Sequence, residues 1–407
     1  MIKNIYKKAC FLFYLLVCLS KLAASSEDIN FLSIYLTWEN DPTTTMTVRW
    51  ITKKSDSDDS ILFQKIDDKE WDQEKGTHIN MPDDHPYYIH RVEIKNLSPD
   101  TCYQFCLNND HKKTIYKFRT MPNQLTRPVR FVVGGDMLHD NKKYLAETNT
   151  RAASQDPDFA YIGGDIAYSV PRLKFFSESF DNWTTWLRTW TETMVSPDGR
   201  LIPLIIAIGN HEVFGRSDQT PEQAKFFYAL FRAPSILAYQ VLDFSNYLSL
   251  FVLDSGHTYS IDGKQKEWLK NNLMSRSEIE NKFVIYHVPA YPSVRSYKQK
   301  ASQKIRKHWV PLFEDYGIKA AFEHHDHAYK RTYPIFQDKV DPDKGILYLG
   351  DGAWGIKKPR IPNSPNKLWY LEKTESIRHF ILVTLTKTKR QYDAIDSEGE
   401  IFDSASN

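Results

Sequence analysis

Apolar and polar positions along this chain follow two different rhythms. In the first part, Thr45–Ile51 and Tyr88–Ile94 alternate residue by residue, the period of a strand with one buried face. Comparable stretches run from about residue 28 to 122, separated by polar, turn-rich pieces such as Lys53–Ser60. They predict an all-β sandwich, with Leu97–Phe105 as a turn feeding a strand and Phe118–Pro122 as its closing segment. Beyond a polar linker, Asn123–Pro128, the rhythm changes. Val129–Gly135, Phe159–Gly164, Leu204–Gly209, Leu248–Leu253 and Lys282–Tyr286 are near-continuous apolar runs, as expected of strands covered on both faces by helices. Gln265–Leu273 carries a helical period, and Phe380–Leu385 returns to strand character. The predicted fold class is an N-terminal all-β sandwich followed by an α/β domain.

The chain begins differently. Lys3, Lys7 and Lys8 precede the apolar run Ala9–Ser20, and small residues follow at Ala23–Ser26. This is the layout of a secretory leader, and its apolar run is too short to span a bilayer comfortably. The alternatives are a buried N-terminal helix, an uncleaved anchor, or a lipid anchor on Cys18, for which Val17 is bulky. No later segment has about 18 uninterrupted apolar residues, so no membrane span is expected. The expected division is therefore 1–26 leader, 27–124 front domain and 125–407 second domain. A length of 407 residues accommodates two domains, and a net charge of +2 is too balanced to point to nucleic acid. Cys102 and Cys106 lie four residues apart. In an extended strand their Cα atoms are ~13 Å apart, too far for a disulfide.

Candidate chemistry sits where the apolar runs end. Asp136 follows the first run, Asp165 and Tyr168 the second, Asn210 and His211 the third. His287 ends Val284–His287, and His325 and His327 stand in Glu323–Arg331. Functional groups collect past the carboxyl ends of strands in α/β sheets. Singly, such an aspartate is more often a cap or turn residue. Together they form an ordered series of oxygen and imidazole ligands without cysteine, which suits zinc, manganese or iron.

The series Gly135-Asp136, Gly164-Asp165 with Tyr168, Gly209-Asn210-His211-Glu212, Val284 to His287, and His325 with His327 resembles the five-block signature of the purple acid phosphatases. The resemblance covers the whole mature chain, since a fibronectin-type-III-like front domain accompanies that family's metallophosphoesterase domain of two mixed sheets. It implies an Fe(III) held by Asp136, Tyr168 and His327. A divalent ion (zinc, iron or manganese) would take Asn210, His287 and His325, with Asp165 bridging the two. Such a pair of cations holds a phosphate ester and activates water, with His211 assisting the leaving group by a proton or a hydrogen bond. The implied activity is secreted acid phosphatase action on phosphate monoesters. A phosphodiesterase or nucleotide-cleaving enzyme, a redox centre with iron at both sites, and an inactive exported binding protein are the alternatives. A homodimer is one expectation for the assembly.

The chain departs from the pattern in places. Met137-Leu138 replace a glycine-containing turn, His324 replaces a glycine and Asp326 an apolar residue. If the position of His324 requires positive φ, histidine adopts it at some cost, and His324 is itself an alternative ligand. After His287 the histidines that face substrate in plant members are missing, and Tyr291, Arg295 or Lys298 are the replacements on offer. Asn182-Trp183-Thr184 fits an N-glycosylation acceptor.

Overall fold

The computed structural model describes residues 31–407 apart from 54–57, 111–112, 171–177, 233–234 and 236; the leader lies outside the described residues. Eight strands form the front domain: β1 (Phe31–Thr37), β2 (Met46–Lys53), β3 (Ser60–Lys65), β4 (Asp72–Lys75), β5 (Thr77–Asn80), β6 (Tyr87–Ile94), β7 (Cys102–Leu107) and β8 (Tyr116–Arg119). They pair antiparallel into two sheets, β1-β2-β6-β5 and β4-β3-β7-β8. The alternation in Thr45–Ile51 becomes β2, whose Met46, Val48 and Trp50 share the core with Ile61 of β3 and Phe105 of β7. The closing strand ends at Arg119, three residues before the predicted limit. Cys102 and Cys106 both lie on β7 as free thiols.

The second domain opens with β9 (Val129–Gly134), β10 (Phe159–Ile162) and β11 (Leu204–Ile206), followed by β12 (Gln240–Phe244), β13 (Leu248–Val252), β14 (Asn281–Ile285), β15 (Ala320–Glu323) and β16 (Tyr329–Thr332). A small hairpin, β17 (Ile335–Phe336) and β18 (Lys339–Val340), precedes β19 (Leu347–Gly350), β20 (Leu371–Glu375), β21 (His379–Leu385), β22 (Arg390–Asp396) and β23 (Ile401–Ser406). Two mixed sheets result, β11-β10-β9-β21-β22-β23 and β12-β13-β14-β15-β19-β16-β20. Within them β9, β10 and β11 run parallel, as do β13, β14, β15 and β19. Their carboxyl ends therefore open on the same side of each sheet.

Double coverage explains the continuous apolar runs. Phe131, Phe159, Phe283 and Phe322 fill the space between the sheets, with Phe131 5.8 Å from Phe283. Neighbouring residues on the opposite faces, such as Val132, Ala160 and Ile162, meet the helices Lys142–Ser154 and Phe180–Thr193. Phe251, Val284 and Tyr286 of the other sheet meet Leu269, Leu273 and Ile305 from helices Lys264–Met274 and Lys300–His308.

The front domain packs directly on this body. Trp38 lies edge-on to both Phe159 and Phe244, at 5.9 Å each. Thr191 of helix Phe180–Thr193 donates to Ile34 O at 2.8 Å, and the Tyr35 hydroxyl donates to Leu230 O at 2.8 Å.

Candidate metal centre

The loops after β9, β10, β11, β14 and β15 bring all seven predicted ligand residues to one place. Oxygen or nitrogen atoms of Asp165, His287 and His325 lie within 4.8 Å of one another, and so do those of Asp136, Asp165 and His327. Asp165 belongs to both groups. Tyr168 Oη stands 3.0 Å from Asp136 Oδ1 and 3.2 Å from His327 Nε2, which puts it with the second group. Asn210 Oδ1 stands 3.2 Å from His287 Nε2, which puts it with the first.

Backbone conformation aims these side chains. Asp136, Asp165, Tyr168, His325 and His327 have φ of 59°, 51°, 50°, 77° and 59°. Such left-handed positions cost non-glycine residues on the order of 1 kcal/mol or more, and they persist where surrounding structure enforces them. Here hydrogen bonds enforce them. Asp136 N donates to Gly164 O at 3.0 Å and His327 N to Asp351 O at 2.7 Å. His325 N donates to Asp136 Oδ2 at 3.0 Å. Gly352 has no freedom to change, because a Cβ there would stand 1.8 Å from Asp136 Oδ2.

Electrostatics fit a cation. Burial would raise the carboxyl of Asp165, but the imidazoles of His287 and His211 outweigh it and hold it well below the usual carboxylate range. Burial works against a charge on His287, yet Asp165, 3.2 Å away, pushes the imidazole up to about 9. A proton is thus held where positive charge is demanded. Burial, then Asp136 and Asp165, push the Tyr168 phenol well above its ordinary range, so ionising it requires a neighbouring cation. Asp165 Oδ2 is buried and faces two imidazoles, with His287 Nε2 at 3.2 Å and His211 Nε2 at 4.0 Å. His287 Nδ1 meets Gly163 O at 2.9 Å, which turns Nε2 toward the centre. Hard oxygen and imidazole donors in two groups that share one carboxylate fit two adjacent metal ions.

His211 stands beside the cluster, with Nε2 4.0 Å from Asp165 Oδ2 and its ring 4.3 Å from that of Tyr168. Burial lowers its imidazole to about 4, Asp165 opposing and Arg216 adding to the shift.

Two expectations need correction. His324 has neither positive φ nor a place among the converging side chains; the left-handed residues are His325 and His327. Its buried ring instead fills the space above Gly163, where an added Cβ would come within 1.7 Å of it. Tyr291 points into the core, its hydroxyl 3.2 Å from Asp338, and Lys298 is exposed away from the centre; of the three suggested replacements only Arg295 lines the cavity. Asn182 Nδ2 donates to Tyr168 O at 2.9 Å. Asp326 is buried and paired with Arg295 at 2.6 Å, which accounts for a charge where an apolar residue was the pattern.

Apart from Arg295, the residues around the centre escaped notice in the sequence. A cavity of about 630 Å³ opens over the centre, and Arg216, Arg295, Lys300, Lys304 and Arg360 give its wall a cationic character. His139 and His257 also reach it. No front-domain residue lines it among the described residues.

Residues 32–120 match the family model for the purple acid phosphatase N-terminal domain, and residues 129–329 that for calcineurin-like phosphoesterases. With paired mixed sheets and a ligand cluster at their strand ends, the molecule is a metallophosphoesterase by class. Purple acid phosphatase 15 of Arabidopsis thaliana is 25% identical over 65% of this chain and 53% of its own length. Probable purple acid phosphatase 20 of the same plant is 24% identical over 86% of this chain and 80% of its own. The structure of a purple acid phosphatase from yellow lupin (Lupinus luteus) seeds superposes with a TM-score of 0.72 at 17% identity, covering 92% of this chain and 73% of that one. This chain belongs to the purple acid phosphatase family. The first relative extends well beyond the shared region, which is little more than half of it.

Proposed function

We propose that the chain is an exported acid phosphatase that hydrolyses phosphate monoesters at a two-metal centre. The observation that carries this reading is the sharing of the buried Asp165 between two ligand clusters. In the proposed assignment Asp136, Tyr168 and His327 hold Fe(III), Asn210, His287 and His325 hold zinc, iron or manganese, and Asp165 bridges. The metals, when bound, supply an activated water and charge to stabilise the transition state. The protein's own groups do the rest. Arg216 Nη1 donates toward His211 Nε2 at 3.1 Å, so the neutral ring carries its proton on Nδ1; in this reading the ring assists the leaving group. The cationic wall favours a dianionic monoester over a singly charged diester. The apolar segment Ala9–Ser20 supports export, with cleavage near residue 26, a front domain over 27–124 and a catalytic domain over 125–407. Among the described residues no helix is long and apolar enough to cross a membrane.

Hydrolysis of p-nitrophenyl phosphate beside its bis-ester tests the reaction, and the visible spectrum of Tyr168→Phe tests the iron. A faster monoester reaction, with a broad band lost in the variant, is expected. Preference for the bis-ester overturns the monoester reading. A colourless wild type holding two zinc or manganese ions per chain overturns the iron assignment.

A further inference from the structure

A second cluster of metal-ligand side chains lies in the front domain, far along the chain from the centre just described. Asp59 immediately precedes β3, while His78 and His90 face each other as a directly paired couple on β5 and β6. Ligand atoms of the three side chains all lie within 4.8 Å of one another. His90 Nδ1 is 2.7 Å from Asp59 Oδ1. His78 Nδ1 is 2.9 Å from Oδ1 and 2.9 Å from Oδ2, poised in the notch of the carboxylate rather than on one lone pair.

The surroundings resemble those of ligands held ready. His90 is fully buried, stacked on Trp50 with ring planes 5° apart and centroids 4.8 Å apart. Its other nitrogen, Nε2, meets Thr52 Oγ1 at 2.6 Å. That contact suits a coordinating imidazole, since a ring bound through Nδ1 carries its proton on Nε2 and donates it to an oxygen. His78 rests against Tyr88 at 4.2 Å, and its side chain is 28% exposed, leaving an approach from solvent. A backbone bond places this residue's main chain, Gly76 N donating to Asp59 O at 2.9 Å.

We propose that Asp59, His78 and His90 form a divalent transition-metal site, with zinc as the reference ion and water as a fourth ligand. Two imidazoles and one carboxylate are a donor set for borderline ions rather than for magnesium or calcium. A tetrahedral zinc ion with bonds of about 2.0–2.1 Å needs ligand atoms about 3.3 Å apart. The carboxylate therefore has to draw back by roughly half an ångström, which the partly exposed His78 permits. The consequence is structural. Asp59 is attached to the sheet of β3 and the histidines to the other sheet, so the ion pins the two halves of the sandwich together.

The full-length protein, dialysed against zinc and analysed for bound metal, is compared with His78→Ala. The wild type is expected to hold one equivalent more than the variant, and its zinc-induced rise in Tm to shrink in the variant, while phosphatase activity stays unchanged. His78→Gln gives a second comparison should the alanine variant fail to fold. Equal zinc content in wild type and folded variant overturns the proposal and leaves the cluster a hydrogen-bonded carboxylate. Loss of phosphatase activity in both proteins would bear on the catalytic reading alone, since these residues lie outside its cavity.

Discussion

Glu212 holds the loop of Asp165 in place: its carboxylate accepts the Asp165 N–H at 2.9 Å, and also those of Ile166 at 2.7 Å and Gly209 at 3.0 Å. The side chain is fully buried, and burial together with the nearby Asp165 pushes its carboxyl up to about 8. Glu212→Ala strands three buried N–H groups, each costing ~1–3 kcal/mol. A stability loss of about 3 kcal/mol or more is expected from the urea midpoint, with reduced metal content. Unchanged stability would mean that water replaces the carboxylate.

Gly163 and His324 form a pair of complementary volumes. Gly163→Ala should cost about 2–3 kcal/mol as an overpacked core site. Adding His324→Ala opens room for the methyl, so the double variant should melt above the single one. Additive losses in thermal denaturation would show that the two residues do not press on each other.

Glu178 offers a test by pH. It accepts from Trp183 Nε1 and from Ser169 Oγ, both at 3.2 Å, and burial raises its carboxyl to about 7 despite those bonds. A carboxyl raised on folding binds its proton more tightly in the folded state. Its contribution is fully present below the unfolded value near pH 4.5 and is lost as pH rises through 7, amounting to about 3 kcal/mol. Glu178→Gln keeps an acceptor for both donors and removes the titration. The variant's stability should be flatter than the wild type's between pH 4.5 and 7.5 in denaturant titrations; parallel curves would assign the slope elsewhere.

Arg216 offers a test through the pH dependence of activity. Its charge adds to the burial that lowers His211 to about 4. In Arg216→Ala the imidazole should move back toward its ordinary value, though burial keeps it from arriving. If the neutral ring serves the reaction, the acid limb of kcat/KM shifts to higher pH. An unmoved acid limb, with the alkaline limb moving to higher pH instead, would identify the protonated ring as the working form.

Much of this architecture was legible along the chain because its causes are local. Strands covered on both faces show as unbroken apolar runs, and a ligand at the end of a run needs only its neighbours to be noticed. The positions of Asp136, Asp165, Asn210 and His287 illustrate this. What escaped depends on partners far away in sequence. His324 fills space left by Gly163, 161 positions earlier, and nothing beside it reveals that. Arg216 and Arg360 come to one cavity from segments without a common motif. Tyr291 looked available because it follows His287 closely, yet it turns inward to a neighbourhood of aromatic rings at Tyr348 and Tyr370. Asn182 satisfied a glycosylation pattern, while its helix carries the amide to the carbonyl of Tyr168.

The seam between the two domains has a practical meaning for anyone who trims the chain. A fragment starting at Val129 would uncover the edges of Phe159 and Phe244 that Trp38 shields, along with the face of helix Phe180–Thr193 on which Ile34 sits. That same helix carries Asn182, the anchor of the Tyr168 carbonyl. The shortened molecule would carry a sticky flank beside a less firmly held tyrosine loop, so the front domain serves as a built-in cover for its neighbour.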